Sequence, residues 1–156
     1  MVLKRLIPLS CLCAGFIGCS TVTDPDMQTD HALRPPSLPA QSLIPGDCGL
    51  FVWTADRLKR FILFSSAQTD NALWAGPDGQ VALNITEKKS VPHHGQYPQQ
   101  DFTTPDNHRL NLKLENPEVV TGGTRFTSGT LKLQTPEAWE RITPVVAIAT
   151  CQPYPS

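Results

Sequence analysis

The sequence predicts an all-β protein, a small antiparallel barrel or sandwich built from about eight short strands. Three observations support this fold class. Apolar and polar residues alternate with a period of two in several segments, as they do in strands that bury one face. Clusters of turn-forming residues separate these segments. The 156 residues include 15 prolines and 10 glycines, a content that long helices do not tolerate.

The first two predicted strands are short apolar runs. Residues 48–53 and 60–64 are almost continuously apolar, which is typical of strands that are covered on both faces. Residues 54–59 lie between them and predict either one turn of helix or a hairpin loop.

The central strands alternate more clearly. The turn at residues 76–79 (Gly-Pro-Asp-Gly) precedes residues 80–86, in which the odd positions are apolar. In residues 110–115 the even positions are apolar. Residues 91–105, between these strands, are rich in proline, glutamine and histidine and predict a long loop.

A change of alternation marks the next predicted hairpin. The glycine pair at 122–123 is a good hairpin signal. After this pair, the apolar phase is even at Phe126 but odd at Leu131. A turn or bulge at Ser128 and Gly129 would explain the change.

The C-terminal segment predicts one short helix and one strand. Thr135 is a good N-cap residue and Pro136 suits the first helical position, so residues 136–141 predict a short helix. Residues 142–151 are rich in strand-forming residues, and Pro144 indicates that this strand starts at a sheet edge or a bulge.

The N-terminus has the pattern of an export signal. Lys4 and Arg5 precede residues 6–18, which carry no charge and are too few to span a bilayer. The run ends in Phe-Ile-Gly-Cys at residues 16–19, which resembles the lipobox of bacterial lipoproteins, with Phe16 where that family usually has leucine. A plain secretory signal with an incidental cysteine is the alternative.

The lipoprotein resemblance implies an anchor and a location. In that family the signal, here residues 1–18, is removed and the new N-terminal cysteine, here Cys19, is acylated, so the lipid bilayer is the first expected partner. Ser20 stands where an aspartate would retain an enteric lipoprotein at the inner membrane. The resemblance therefore implies the outer membrane, with the protein facing the periplasm.

The domain organisation follows from composition. Residues 19–46 contain five prolines and no aromatic residue, which predicts a lipidated cysteine followed by an unstructured, partly polyproline tether. Residues 47–152 form the predicted β-domain, and residues 153–156 form a tail. The net charge of the whole chain is -1, which provides no electrostatic support for nucleic-acid binding.

The five cysteines of the chain leave one possible disulfide. Two lie within the predicted signal and Cys19 is consumed by lipid, which leaves Cys48 and Cys151 in an oxidising compartment. They lie in the first and last strands, so their bond would place these strands side by side, as barrel closure requires. Two buried free thiols are the alternative.

The sequence provides no recognisable catalytic or metal-binding constellation. Metalloprotease, serine-hydrolase and phosphate-loop motifs are absent from the sequence, and adjacent His93 and His94 lie in the predicted loop without nearby partners. We therefore expect no enzyme activity, no cofactor and no metal site.

Two further features are candidate binding residues. Trp74 and Trp139 are either core residues or barrel-end caps, or one of them is an exposed platform for a glycan or protein partner. The second feature is Ser128-Gly129, which otherwise indicates a turn.

The terminal cysteine pair and the Thr-Ser-Gly-Thr segment at residues 127–130 resemble the membrane-bound lysozyme inhibitors. That family has a small β-barrel and a Ser-Gly loop that enters the lysozyme cleft. The Tyr-x-Cys opening of that family is replaced here by Gly46 and Asp47 before Cys48, and no tyrosine follows Ser128-Gly129 at the expected position.

Three functions remain at this stage. The first is a non-catalytic binding or scaffolding module, held at the outer membrane, with a periplasmic protein or a glycan as partner. The second is a lysozyme inhibitor, and the third is a hydrolase of envelope polymers.

Overall fold

The structure is a computed structural model that describes residues 36–69 and 71–155. Eight antiparallel strands form a closed barrel in which each strand pairs with its neighbours in the chain, and β1 pairs with β8. The strands are β1 (Cys48–Thr54), β2 (Phe61–Ser66), β3 (Asn71–Gly76), β4 (Gly79–Lys89), β5 (Gln99–Thr103), β6 (Arg109–Val120), β7 (Gly123–Gln134) and β8 (Glu140–Cys151). The all-β prediction is confirmed, and of its two architectures the barrel is the correct one.

The two ends of the barrel carry different loops. The disulfide end contains the starts of β1 and β3, the end of β8, the loop at residues 90–98 and the β6–β7 turn. The opposite end carries the loops at residues 55–60, 77–78, 104–108 and 135–139. None of the described residues belongs to a helix that is long and apolar enough to cross a membrane.

Inward-facing apolar side chains fill the barrel. Because residues paired across neighbouring strands point to the same face, the alternation within each strand brings one set of side chains together inside. The best-buried members of this set are each at most 1 % exposed, and burial stabilises each larger one by about 1.5–3 kcal/mol. They are Leu50, Val52, Leu63, Leu83, Phe102, Leu110, Leu112, Phe126, Val145, Ala147 and Ala149.

The predicted helix over residues 136–141 is wrong. These residues belong to a tight hairpin turn and to the start of β8, since the Thr135 amide donates to the Trp139 carbonyl at 2.9 Å. Ala138 takes a positive φ of 64° to close the turn. A single helical turn is costly to nucleate, whereas the β7–β8 ladder begins at the adjacent pair Gln134 and Glu140. Residues 54–59 adopt the hairpin-loop alternative.

The predicted loop over residues 91–105 contains a strand that the sequence analysis missed. β5 places Gln100 and Phe102 inward, opposite Leu112 and Leu110 of β6. Gln100 is 2 % exposed, and its amide donates to the Tyr97 carbonyl at 2.8 Å. A polar residue at an inward position removed the alternation from which the strand could have been recognised.

The bulge predicted at Ser128 and Gly129 is present. Relative to β8, β7 contains one extra residue between Phe126 and Thr130. β6 runs alongside without a shift in pairing, and its Asn116 takes a positive φ of 54°. The inward-facing set therefore changes parity in β7, as its sequence predicts. Pro144 pairs with Thr130 at the bulge, and β8 begins at Glu140, two residues before the predicted start at residue 142.

Residues 36–46 do not form the unstructured tether that composition predicts. Leu38 is 6 % exposed and belongs to the hydrophobic core, and its amide donates to the Phe61 carbonyl at 2.7 Å. Leu43 lies over Gly49, where an added Cβ would come within 2.8 Å of the Leu43 side chain. These leucines supply apolar surface that the composition of the segment, which lacks aromatic residues, does not predict. We call residues 36–46 the strap. The predicted signal and the remaining part of the tether, residues 1–35, lie outside the described residues.

A disulfide joins Cys48 to Cys151, as predicted. The two cysteines are direct cross-strand partners at the start of β1 and the end of β8. The bond therefore lies on the seam that closes the barrel. β8 ends at Cys151, and residues 153–155 of the predicted tail contain no strand.

Candidate binding surface

The barrel interior is occupied by side chains, and polar groups at its disulfide end are used by the fold. The loop at residues 90–98 lies against this end, where the Gln96 amide donates to the Cys48 carbonyl at 3.2 Å. The His93 ring meets Phe126 edge-on, with 5.3 Å between centroids. The buried Asp47 carboxylate accepts hydrogen bonds from the Cys48 amide at 2.7 Å and the Ser66 hydroxyl at 3.0 Å. The outer face of the barrel is therefore the remaining place for a ligand surface.

The outer face of β4 to β7 contains a groove of about 510 Å³. Its walls are outward-facing polar side chains, which the register places in adjacent rows. Asp101 pairs with Asn111 and Thr103 with Arg109 across β5 and β6, and the rows continue into β7. We call this the β4–β7 groove; it is lined by Thr86, Asp101, Phe102, Thr103, Arg109, Leu110, Asn111, Lys132 and Gln134.

The acidic group of the groove is already engaged by neighbouring side chains. Asp101 accepts a hydrogen bond from the Asn111 amide and lies 3.4 Å from the Lys89 ammonium. Lys89 also lies 2.8 Å from Glu87. The hydrogen bond to Glu87, together with the charges of both acids, raises the pKa of Lys89 above its ordinary value.

The cations of the groove differ in their pairing. The Lys132 ammonium lies 2.6 Å from the Glu140 carboxylate. The Arg109 side chain has no hydrogen-bond or ion-pair partner within the described part of the chain. The groove therefore presents one guanidinium whose five donors are free for a ligand.

The tryptophans have different environments. Trp139 is 72 % exposed in the β7–β8 turn, next to Glu140, the cross-strand partner of the groove residue Gln134. Trp74 is 8 % exposed and faces the interior, so it is a core residue and cannot serve as an exposed platform. Trp53 is half-buried on the outer face, 5.4 Å from the Phe61 ring.

Ser128 and Gly129 lie inside β7, away from any loop. The Ser128 hydroxyl accepts a hydrogen bond from the Asn116 amide at 2.8 Å. The protruding Ser-Gly loop implied by the lysozyme-inhibitor resemblance is thus a bulged strand segment here. The two residues do not adjoin Trp74 or Trp139 in the strand register.

The titratable groups that could support catalysis lie apart. His93 is at the disulfide end, His94 is exposed in the same loop, and His108 is at the opposite end, 3.5 Å from Asp106. A hydrogen bond from Thr104 lowers the pKa of Asp106, and His108 adds a smaller contribution. Among the described residues, no three His, Cys, Asp or Glu side chains are grouped so that they could hold a metal ion. Cys19, the predicted lipidation site, lies outside these residues.

Comparison with protein families, with curated proteins and with solved structures finds no match for this chain.

Sequence reasoning missed the groove residues. Arg109, Asn111 and Lys132 are outward-facing positions in β6 and β7 and resemble any solvated strand face in the sequence. Only the register of the strands, together with the unrecognised β5, brings them beside Asp101. The one available signal was the concentration of planar polar side chains at the outward positions of two neighbouring strands.

Proposed function

We propose that this protein is an outer-membrane lipoprotein, anchored through acylated Cys19, whose β-domain binds a carboxylate-bearing glycan of the cell envelope without catalysing a reaction. The observation that carries this proposal is the Arg109 guanidinium in the β4–β7 groove, which has no partner among the residues that the structure describes. The lipobox-like residues 16–19 support the anchor.

The side chains of the groove suit a sugar ligand. The amides of Asn111 and Gln134 each offer donors and an acceptor to neighbouring hydroxyl groups. The Arg109 fork matches the geometry of a carboxylate, which it can bind with two parallel hydrogen bonds. Trp139 adds a flat, exposed ring with an apolar face in the β7–β8 turn, one residue before Glu140, which pairs with the groove residue Gln134.

The same groove gives little support to hydrolysis. Glycoside hydrolysis generally uses two carboxyl groups, one of which must be free to donate a proton. In the groove, Asp101 is the one lining carboxylate among the described residues, and Asn111 and Lys89 already contact its two oxygens. A binding role therefore fits the arrangement better than a catalytic one.

The anchor is tested by substitution of its acceptor. Cys19→Ala is expected to abolish lipidation and to move the protein from the membrane fraction to the soluble periplasmic fraction. Mass analysis of the released chain checks for the missing acyl groups. A Cys19→Ala protein that still sediments with membranes in detergent-free buffer contradicts the lipoprotein proposal.

The ligand is tested with purified peptidoglycan, a glycan that carries carboxylates. The mature protein is expected to co-sediment with it, and Arg109→Gln should weaken binding by roughly 10- to 100-fold, since a hydrogen bond to a charged group contributes about 1.5–3 kcal/mol. Arg125→Gln is the matched control, because Arg125 is an exposed arginine paired with Glu118 outside the groove.

The same preparation separates the alternative functions. Loss of added lysozyme activity would favour a lysozyme inhibitor, and lysis without lysozyme would favour a hydrolase. Equal binding by the Arg109 and Arg125 variants would contradict the groove as the site. Absence of binding together with capture of an envelope protein would favour a protein partner.

A further inference from the structure

The β1–β2 loop, residues 55–60, presents an apolar tip surrounded by cations. Leu58 is 71 % exposed, and its neighbours Arg57 and Lys59 are also exposed. Arg60 follows, paired with Asp56 at 3.0 Å. An exposed leucine between basic residues combines the two features that attract a protein surface to anionic lipid, apolar area and positive charge.

The loop is held in one conformation. The Asp56 carboxylate accepts hydrogen bonds from the Thr54 hydroxyl at 2.9 Å and from the amides of Leu58 and Lys59 at 3.0 and 3.2 Å. The Lys59 ammonium donates to the Ala55 carbonyl at 3.2 Å. Because the loop is already ordered, little further conformational entropy is lost when its tip is immobilised.

An aromatic pair lies at the base of this loop. Trp53 ends the outward row of β1 and Phe61 begins β2, and their rings are 5.4 Å apart. Both are half-buried on the outer face. Tryptophan and other aromatic rings are favoured at the level of lipid headgroups, directly above the depth that an inserted leucine would reach.

The chain reaches the barrel at this same place. Phe61, which follows the loop, accepts hydrogen bonds from the Leu38 amide at 2.7 Å and the Ser37 hydroxyl at 3.2 Å. The strap then continues to the disulfide end, where Gly46 donates to Gln152 at 2.8 Å. Residues 20–35 separate this point from Cys19, and so short a segment extends at most about 55 Å.

We propose that the β1–β2 loop is a membrane-docking site, at which Leu58 enters the headgroup region of an anionic phospholipid surface and Arg57 and Lys59 contact the phosphates. The proposal rests on the proposed lipid anchor, which holds the loop near the bilayer and raises its local concentration. Among the described apolar residues at the disulfide end, the most exposed one, Val119, instead adjoins an acid, Glu118, whose charge is paired with Arg125.

The test places an environment-sensitive fluorophore at position 58. The full lipidated protein carrying Leu58→Cys, labelled with a nitrobenzoxadiazole group, is reconstituted into phosphatidylethanolamine vesicles containing phosphatidylglycerol. We expect a blue-shifted emission that brominated acyl chains quench. Val119→Cys, labelled in the same way, is the matched control at the other end and should keep the emission it has in water. The Cys48–Cys151 bond leaves neither of these cysteines free for labelling.

Charge gives a second, independent readout. Each basic residue near an anionic surface contributes roughly a fivefold factor in partitioning, so Arg57→Gln with Lys59→Gln should lower the ratio of docked to undocked protein about 25-fold. Vesicles of phosphatidylcholine, which has no net charge, should lower this ratio similarly. Both substitutions lie on exposed side chains, and the disulfide and near-ultraviolet circular dichroism check that the fold is retained.

The outcomes distinguish docking from anchoring. Protein that sediments with vesicles while the probe at position 58 remains water-exposed overturns the docking site and leaves the anchor standing. Equal shifts at positions 58 and 119 indicate non-specific adsorption and also overturn it. Protein that stays in the supernatant overturns the anchor and the docking geometry that rests on it.

Discussion

At the scale of single residues, Gly129 is fixed by the close approach of β6. A Cβ at this position would lie 2.6 Å from the Lys113 carbonyl oxygen and 2.9 Å from the Leu114 side chain. The obstruction is backbone, which cannot rotate away as a side chain can. The bulge that reverses the alternation of β7 therefore requires glycine at this position.

Gly129→Ala is expected to lower the free energy of unfolding by about 1–3 kcal/mol, because the added methyl group overpacks against β6. The urea midpoint at an unchanged m-value measures the loss. Thr130→Ala, at the next and exposed position, is the control and should cost less than about 1 kcal/mol. Equal stability of the two variants would show that the strands separate easily here.

Asp56 is also specifically required, in this case in the β1–β2 loop and because of the charge of its carboxylate. The hydrogen bond from Arg60, and then that from Thr54, lowers its pKa below the ordinary aspartate value of 3.8. Because the folded-state pKa is lowered, the stabilisation is fully present above pH 3.8 and is lost as the pH falls through the folded value.

Asp56→Asn is therefore expected to be less stable than the wild type at neutral pH, with a difference that shrinks below pH 3.8. Urea unfolding at both pH values measures this change. Asp78→Asn, in the exposed β3–β4 turn, is the matched control. If Asp56→Asn is still less stable than the wild type in acid, the shape of the Asp56 side chain, and not its charge, accounts for the lost stability.

At the scale of elements, the strap shows how few apolar residues are needed to order a segment. Leu38 and Leu43 are the side chains of this proline-rich stretch that pack on the barrel, and one backbone hydrogen bond to Phe61 fixes its register. Composition predicted disorder because it averaged over the whole segment. The interaction that orders the strap depends on the space above Gly49, where Leu43 packs because glycine has no side chain. Gly49 lies in another element, β1.

Leu38→Ala is expected to cost about 2–3 kcal/mol, because it removes a buried side chain from the core. Ile44→Ala is the control in the same strap, where the side chain is 62 % exposed and the change should stay within about 0.5 kcal/mol. Unfolding in urea measures stability, and faster hydrogen exchange at the Leu38 amide reports local release. Unchanged exchange would indicate that the strap is held mainly elsewhere.

At the scale of the whole molecule, the closed barrel depends on the pairing of β1 with β8. Seven residue pairs join these strands, from Cys48 with Cys151 to Thr54 with Val145. The disulfide at one end of this ladder spans 103 residues of sequence. It therefore restricts the unfolded chain across almost the whole domain.

Cys48→Ala with Cys151→Ala is expected to lose on the order of 4–5 kcal/mol, the loop-closure contribution for a loop of this size. Small domains have total stabilities of about 5–15 kcal/mol, so the variant should be marginal. Urea unfolding of the oxidised, reduced and substituted proteins measures the difference. A loss below about 1 kcal/mol would mean that the unfolded chain already brings its ends together.

Much of this fold was predictable from local patterns, and the candidate site was not. Alternation predicted most strands, and the parity change at Phe126 and Leu131 predicted the bulge. β5 was missed because Gln100 occupies an inward position, and the helix was wrong because the ladder that begins at Gln134 and Glu140 outweighs a local capping signal. The groove depends on register across four strands, which no local pattern encodes.

The order of the strands also has a kinetic consequence. Seven of the eight pairings join neighbours along the chain, and each can form as a local hairpin with a short loop to close. The pairing of β1 with β8 is the one strand pairing of high sequence separation in the barrel, so the slow step of folding should be the search that brings these two strands together. Oxidised chains carry that contact as a covalent bond from the start and should refold faster than reduced chains, whereas the rates of forming the individual hairpins should be the same for both.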